Sequence, residues 1–80
     1  MTIQKAIAMR ISDLMIEKNM TIYALAKRAG VSRTTLTGLL DETSNSMKLI
    51  TLFFLTEALE TTIQDFFNHP YFDSETLDIE

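Results

Sequence analysis

The sequence predicts an all-α fold, a bundle of five short helices with a tight turn between the second and the third. Apolar residues recur every three or four positions in several segments, which is the repeat of one face of a helix. Thr21 and Ser32 are good N-caps, and Gly30 stands where a helix has to stop. With 80 residues, the chain is expected to form one domain.

The first helix is predicted in the N-terminal segment and ends near Asn19. Its polar face carries Arg10, Asp13 and Glu17. Its apolar face consists of side chains at helical spacing, namely Ile3, Ile7, Ile11, Leu14 and Met15.

The next two helices are predicted over Thr21–Ala29 and Ser32–Leu40. Gly30 between them favours the left-handed backbone that ends a helix. Their inward residues are Leu25, Ala26, Ala29, Leu36 and Leu39. This arrangement is a helix-turn-helix, and the outer face of its second helix has the size that fits the major groove of DNA.

A polar loop follows, and Ser46 is the predicted cap of a fourth helix, Met47–Leu59. Its inward set is expected to be Leu49, Leu52, Phe53, Thr56 and Leu59. Thr62 should cap a fifth helix, Ile63–Asn68, and Pro70 should prevent any further helix. We therefore divide the chain into a helix-turn-helix domain, 1–68, and an acidic tail, 69–80.

Charge is distributed unevenly along the chain. Residues 1–40 carry six basic and two acidic side chains, a net +4, whereas residues 41–80 carry one basic and nine acidic side chains, a net −8. The basic half contains the helix-turn-helix, and such a field can orient a protein on DNA. The chain has no cysteine, no signal-peptide pattern and no apolar run that could span a membrane. We expect a cytoplasmic protein without membrane contact, cofactor, metal or small-molecule ligand.

The motif resembles a known family through Thr21, Leu25-Ala26 and Gly30-Val31-Ser32, followed by a recognition helix. It is similar to the helix-turn-helix of phage-repressor and Cro-like regulators, the XRE class with a lambda-repressor-like DNA-binding domain. Helices on both sides of the motif have the spacing of that family. The resemblance implies binding to double-stranded DNA, transcription regulation and a dimeric repressor.

The resemblance and the outer face of the third helix together predict the DNA contacts. Arg33 opens the recognition helix and is expected to contact a guanine, with a phosphate or solvent as alternatives. Gly38 replaces the long polar base reader common in the family. The full set of predicted DNA-binding residues is Thr21, Lys27, Arg28, Ser32, Arg33, Thr34, Thr35, Thr37, Gly38 and Lys48. Arg10 has two interpretations, a phosphate contact or pairing with Asp13 or Glu17.

Excess apolar surface in the second half predicts a homodimer. Its predicted interface residues are Ile50, Phe54, Phe67, Tyr71 and Phe72. The alternative is a tail that folds back and covers Ile50 and Phe54. No catalytic constellation is evident, since the single histidine, His69, is interpreted as a surface or capping residue. The rival function is an antitoxin-like or anti-repressor module whose helix-turn-helix scaffold binds a protein partner.

Overall fold

The computed structural model describes residues 1–41 and 47–78, and in this part of the chain every regular element is helical. The elements are α1 (Ile3–Glu17), α2 (Ile22–Ala29), α3 (Arg33–Leu40), α4 (Leu49–Ala58), α5 (Ile63–Phe67) and a 3₁₀ helix (Pro70–Phe72). The all-α prediction with five α-helices is confirmed. None of the described helices is long and apolar enough to cross a membrane.

The helix-turn-helix forms the centre of the bundle. Helix α2 packs against both α3 and α4, while α1 packs against α3 and the 3₁₀ helix. The core contains fully buried side chains from all five α-helices, among them Ile11, Leu25, Leu36, Leu55 and Phe66. The recognition helix α3 is therefore held from two sides.

Helices α1, α2 and α4 end in the same way, with one residue in the left-handed conformation. These residues are Asn19 at φ 54°, Gly30 at φ 69° and Glu60 at φ 60°. In each case the next backbone N–H donates to the carbonyl five positions earlier. The pairs are Met20 to Met15 at 2.8 Å, Val31 to Ala26 at 3.0 Å and Thr61 to Thr56 at 3.0 Å. These bonds satisfy carbonyl groups that the end of a helix would otherwise leave unpaired.

A hydroxyl starts the helix that follows each of these ends. The side chains of Thr21, Ser32 and Thr62 accept hydrogen bonds from backbone N–H groups three residues later, at 3.0–3.1 Å. These three predicted N-caps are thus confirmed. In each case the cap lies two residues after the left-handed residue. The three connections between helices are therefore tight corners of similar geometry.

Helix α4 differs from its prediction. It begins at Leu49 rather than Met47, with Lys48 at the capping position, and the predicted cap Ser46 lies outside the described residues. Two members of the predicted inward set are in fact exposed, Leu49 by 73% and Phe53 by 43%. The residues that do face the core are Leu52, Leu55, Thr56, Ala58 and Leu59. The prediction was wrong here because the helix is apolar all round, so periodicity indicates no single inward face.

The prediction that Pro70 prevents further helix is also wrong. Pro70 begins the 3₁₀ helix, because the first residues of a helix need no N–H donor and the ring fixes a suitable φ. His69 caps this helix, since its Nδ1 accepts from the N–H of Tyr71 at 3.2 Å. Helix α5 ends at Phe67, one residue earlier than expected.

The C-terminal segment lies on α1 and does not cover α4. The Tyr71 hydroxyl donates to Asp13 Oδ2 at 2.6 Å, and this bond raises the pKa of Tyr71. At the other end of α1, the amino group of Met1 pairs with Asp78 Oδ2 at 3.0 Å. Ile50 and Phe54 remain 54% and 46% exposed. The alternative prediction, in which the tail covers these two residues, is therefore wrong for the described residues.

Candidate nucleic-acid interface

The buried side of α3 fixes the direction of its exposed side. Leu36 is completely buried and Leu39 nearly so, at 0% and 8% exposure. Both point into the core between α1 and α2, because α3 packs against these two helices. The opposite face of α3 is therefore presented to solvent from a rigid support.

This exposed face contains one open concavity. Its lining residues are Arg33, Thr34, Thr37, Gly38 and Asp41. They are spaced so that successive turns of α3 place them on one side of the helix. Four of them were predicted as DNA contacts, and the structure brings these four together. Assignment of each residue to a base or phosphate stays a prediction.

Asp41 was not among the predicted DNA contacts, because it was assigned to the polar loop that follows α3. It is the C-cap residue of α3, and its N–H donates to the carbonyl of Thr37 at 2.8 Å. The signal was present in the sequence, because Asp41 lies four residues after Thr37 and eight after Arg33. The concavity therefore has a cationic end at Arg33 and an anionic end at Asp41.

Hydroxyl groups surround the N-terminus of α3. Ser32 Oγ accepts from the N–H of Thr35 at 3.0 Å and donates to Thr35 Oγ1 at 2.8 Å. Thr21 performs the same capping role at α2 through the N–H of Ala24. Thr21, Ser32 and Thr35 are all exposed. A helix N-terminus bearing such groups is suited to an anionic oxygen, because its N–H groups and dipole are positive.

The other predicted phosphate contacts, Lys27, Arg28 and Lys48, are exposed. Lys27 and Arg28 occupy the last turn of α2, where positive charge also suits the helix dipole. Lys48 immediately precedes α4 and makes no side-chain cap. These three positions are compatible with either a phosphate contact or a solvated surface charge.

Arg10 serves the fold, and neither of its two interpretations describes its contacts. Its Nε donates to the carbonyl of Phe66 at 2.8 Å and its Nη2 to that of Asp65 at 3.0 Å. Its guanidinium carbon lies 5.9 Å from the centre of the Phe66 ring. Arg10 thus joins α1 to the C-terminal turn of α5.

A second surface of note lies on α4. Four large apolar side chains are exposed there, namely Leu49, Ile50, Phe53 and Phe54. Three of these, Leu49, Ile50 and Phe53, line an apolar concavity together with Ile63 of α5. We call the four exposed residues the α4 face. Ile50 and Phe54 were predicted as interface residues, and the structure adds Leu49 and Phe53 beside them.

The remaining predicted interface residues have partners within the chain. Phe67 and Phe72 pack against the core, with their ring centres 4.8 Å apart. Tyr71 is held by Asp13. All three are half-buried, so they offer less free surface than the α4 face. Within residues 1–41 and 47–78, no group of three His, Cys, Asp or Glu side chains could hold a metal ion.

Comparison with known proteins identifies the family. The model of the Cro/C1-type HTH DNA-binding domain matches residues 10–71. The chain belongs to this family. The match includes all five α-helices except the first turns of α1, and the predicted resemblance is confirmed. The protein is therefore a DNA-binding transcription regulator, and its family is generally non-enzymatic.

Solved structures agree with this assignment. The wild-type restriction-modification controller protein C.Esp1396I is 25% identical, with a TM-score of 0.75 over 80% of this chain and 81% of that one. Prophage Lp1 protein 11 is 21% identical, with a TM-score of 0.78 over 89% of this chain and 93% of that one, and this likeness concerns the fold alone. No curated protein sequence matches the chain significantly.

Proposed function

We propose that the protein is a sequence-specific repressor of transcription that binds an inverted repeat as a homodimer. The observation that carries the proposal is the concave face of α3, which opens with Arg33 and continues with Thr34 and Thr37. A helix-turn-helix places the N-terminal residues of its recognition helix against base edges in the major groove. We infer no enzymatic activity, in keeping with the family.

The N-terminal half of α3 is the part of the protein that contacts the bases in this proposal. The Arg33 guanidinium has the fork geometry that pairs with O6 and N7 of guanine, a contact worth about 1–3 kcal/mol of discrimination. Thr34 and Thr37 present methyl groups suited to thymine methyls and hydroxyls suited to phosphate or base oxygens. Gly38 lets the backbone approach the base edges closely, since it adds no side chain there.

The groups around α3 bind the DNA phosphates in this proposal. The N-termini of α2 and α3, with Thr21, Ser32 and Thr35, supply N–H and hydroxyl donors. Lys27, Arg28 and Lys48 supply positive charge. The net +4 of residues 1–40, which contain the helix-turn-helix, attracts DNA, and the net −8 of residues 41–80 weakens non-specific attraction.

The dimer interface in this proposal is the α4 face, which is apolar and exposed in the single chain. A two-fold axis through this face would present two α3 helices to one side of the duplex, as half-sites about 34 Å apart require. A dimer bound across such a site represses by excluding other proteins from the same DNA.

Selection of duplexes from a random pool tests the proposal. The wild-type protein should enrich an inverted repeat. Arg33→Ala should lose the preference at one position of each half-site, where discrimination falls by about 1–3 kcal/mol. Arg28→Ala is the matched control, because loss of a phosphate contact should weaken binding to all sequences and reduce the salt slope by about 1. Failure of the wild-type protein to enrich any sequence would contradict the proposal.

The α4 face also favours a second candidate function. Four exposed apolar side chains on one helix suit a protein partner other than a second copy. In that case the helix-turn-helix would serve as a scaffold, as in an antitoxin-like or anti-repressor module. Weak binding that ignores sequence and is unchanged by Arg33→Ala would favour this candidate.

A further inference from the structure

Asp41 places a negative charge on the face that is proposed to meet DNA. It is exposed and lines the same concavity as Arg33, Thr34, Thr37 and Gly38. Among residues 1–41 and 47–78 the one ion pair joins Met1 to Asp78, so none of the described cations forms an ion pair with Asp41. Its position does not favour the helix either, because the C-terminal end of a helix already carries partial negative charge.

We infer that Asp41 is an electrostatic brake on DNA binding, which lowers the affinity of α3 for every duplex irrespective of sequence. This inference rests on the proposed function, because it assumes that the concave face of α3 enters the major groove. The groove is about 12 Å wide, and the screening length at physiological salt is about 8 Å. A carboxylate inside the groove therefore experiences the phosphates of at least one wall.

A base contact is the less favourable role for this carboxylate. Helix α3 has 8 residues and is therefore about 12 Å long. The N-terminal end of a recognition helix approaches the base edges, so the C-terminal end lies closer to the phosphate wall. Asp41 has a short side chain at that C-terminal end. Repulsion by phosphates, which is equal for all sequences, thus outweighs acceptance of a hydrogen bond from a cytosine or adenine amino group.

The size of the effect follows from Coulomb's law. A unit charge about 8 Å from a phosphate in a medium close to water costs each protomer roughly a two- to threefold loss of affinity. On an inverted repeat the two protomers of the dimer each contribute once, so the loss is about four- to ninefold. The brake lowers the affinity for inverted repeats, half-sites and unrelated DNA alike, so a higher protein concentration is needed before any of them is occupied.

The substitution Asp41→Asn tests the inference, with Asp73→Asn as matched control. Asp73 is also exposed but lies on the C-terminal segment that packs against α1. The substitution Asp73→Asn changes the net charge by the same amount as Asp41→Asn. Binding would be measured by fluorescence anisotropy on the selected inverted repeat, on one half-site and on an unrelated duplex, between low and high salt. Asp41→Ala is included because it removes the charge without offering an amide.

At low salt, we expect both Asp41 variants to bind the inverted repeat and the unrelated duplex about four- to ninefold more tightly, and the single half-site about two- to threefold more tightly. The gain should shrink as salt rises, and Asp73→Asn should change affinity by less than twofold. A gain no larger than that of Asp73→Asn, a loss of affinity, or a change confined to one base position overturns the inference. Each of these results leaves the proposed function intact, whereas absence of selective binding by the wild-type protein overturns both.

Discussion

At the scale of single residues, Arg10 shows how a charged side chain can serve the fold rather than the nucleic acid. Its two donors reach the carbonyl oxygens of Asp65 and Phe66 at the end of α5. The Asp65 carbonyl also accepts from the N–H of Asn68 at 3.3 Å, whereas Pro70, four residues after Phe66, has no N–H to donate. The sequence could not reveal this role, because these partners are 55 and 56 positions away along the chain. Periodicity placed Arg10 on the polar face of α1 and left its contact open.

Replacement of Arg10 by methionine should lower the free energy of unfolding by about 1–3 kcal/mol, because the part-buried carbonyl of Phe66 loses its charged donor. Methionine keeps an apolar stem of similar length. Arg28→Met, at an exposed site, should change stability by no more than about 0.5 kcal/mol. Urea unfolding checks both variants. Equal stability of the two variants would contradict the role of Arg10 in the fold. Lost DNA affinity in folded Arg10→Met would show that Arg10 also acts on DNA.

At the scale of elements, the sequence predicted the N-caps of α2, α3 and α5 better than the start and the inward face of α4. Thr21, Ser32 and Thr62 were recognisable because a hydroxyl at an N-cap has a local physical role. Gly30 was recognisable because glycine favours positive φ. Asn19 and Glu60 adopt the same conformation without being glycine, and only the packing of the following helix requires it of them.

The corner with glycine at its left-handed position and the corner with glutamate there should respond in opposite directions to substitution. Gly30→Ala should destabilise the protein by about 1–2 kcal/mol, solely through its positive φ, because nothing lies within 4 Å of the added Cβ. Glu60→Gly should stabilise it by up to about 1 kcal/mol, since relief at φ 60° exceeds the entropy that glycine loses on folding.

Thermal unfolding of these two variants measures both effects, with Gly30→Asn as a control. Asparagine tolerates the left-handed region better than alanine, so it should lose less stability. If alanine and asparagine were equally costly at position 30, the loss would come from something other than φ.

At the scale of the whole molecule, the sequence located the candidate DNA surface but not all of its charge. Arg33, Thr34, Thr37 and Gly38 follow from helical geometry once the caps of α3 are known. Asp41 was not predicted as part of this surface, because its position fits both the end of a helix and the start of a polar loop. The inward face of α4 was mispredicted for a different reason, since the helix has a second apolar face that stays largely exposed.

That second face leads to a prediction about assembly. The wild-type protein should sediment as a dimer at micromolar concentration, because burial of the α4 face stabilises association by about 25 cal/mol for each Å² of apolar surface removed from water. Ile50→Glu should shift it to monomer, since the new carboxylate would have to be buried without a partner. Its affinity for an inverted repeat should fall towards that for a half-site.

Ile16→Glu provides the control for this prediction. Ile16 is an exposed isoleucine, at 78%, but it lies on α1 outside the α4 face. The same substitution there should leave the dimer intact, so any difference between the two variants reports the location of the interface and not the added charge. A wild-type monomer at high concentration would contradict dimerisation. A dimer that survives Ile50→Glu as well as it survives Ile16→Glu would leave the α4 face for a different protein.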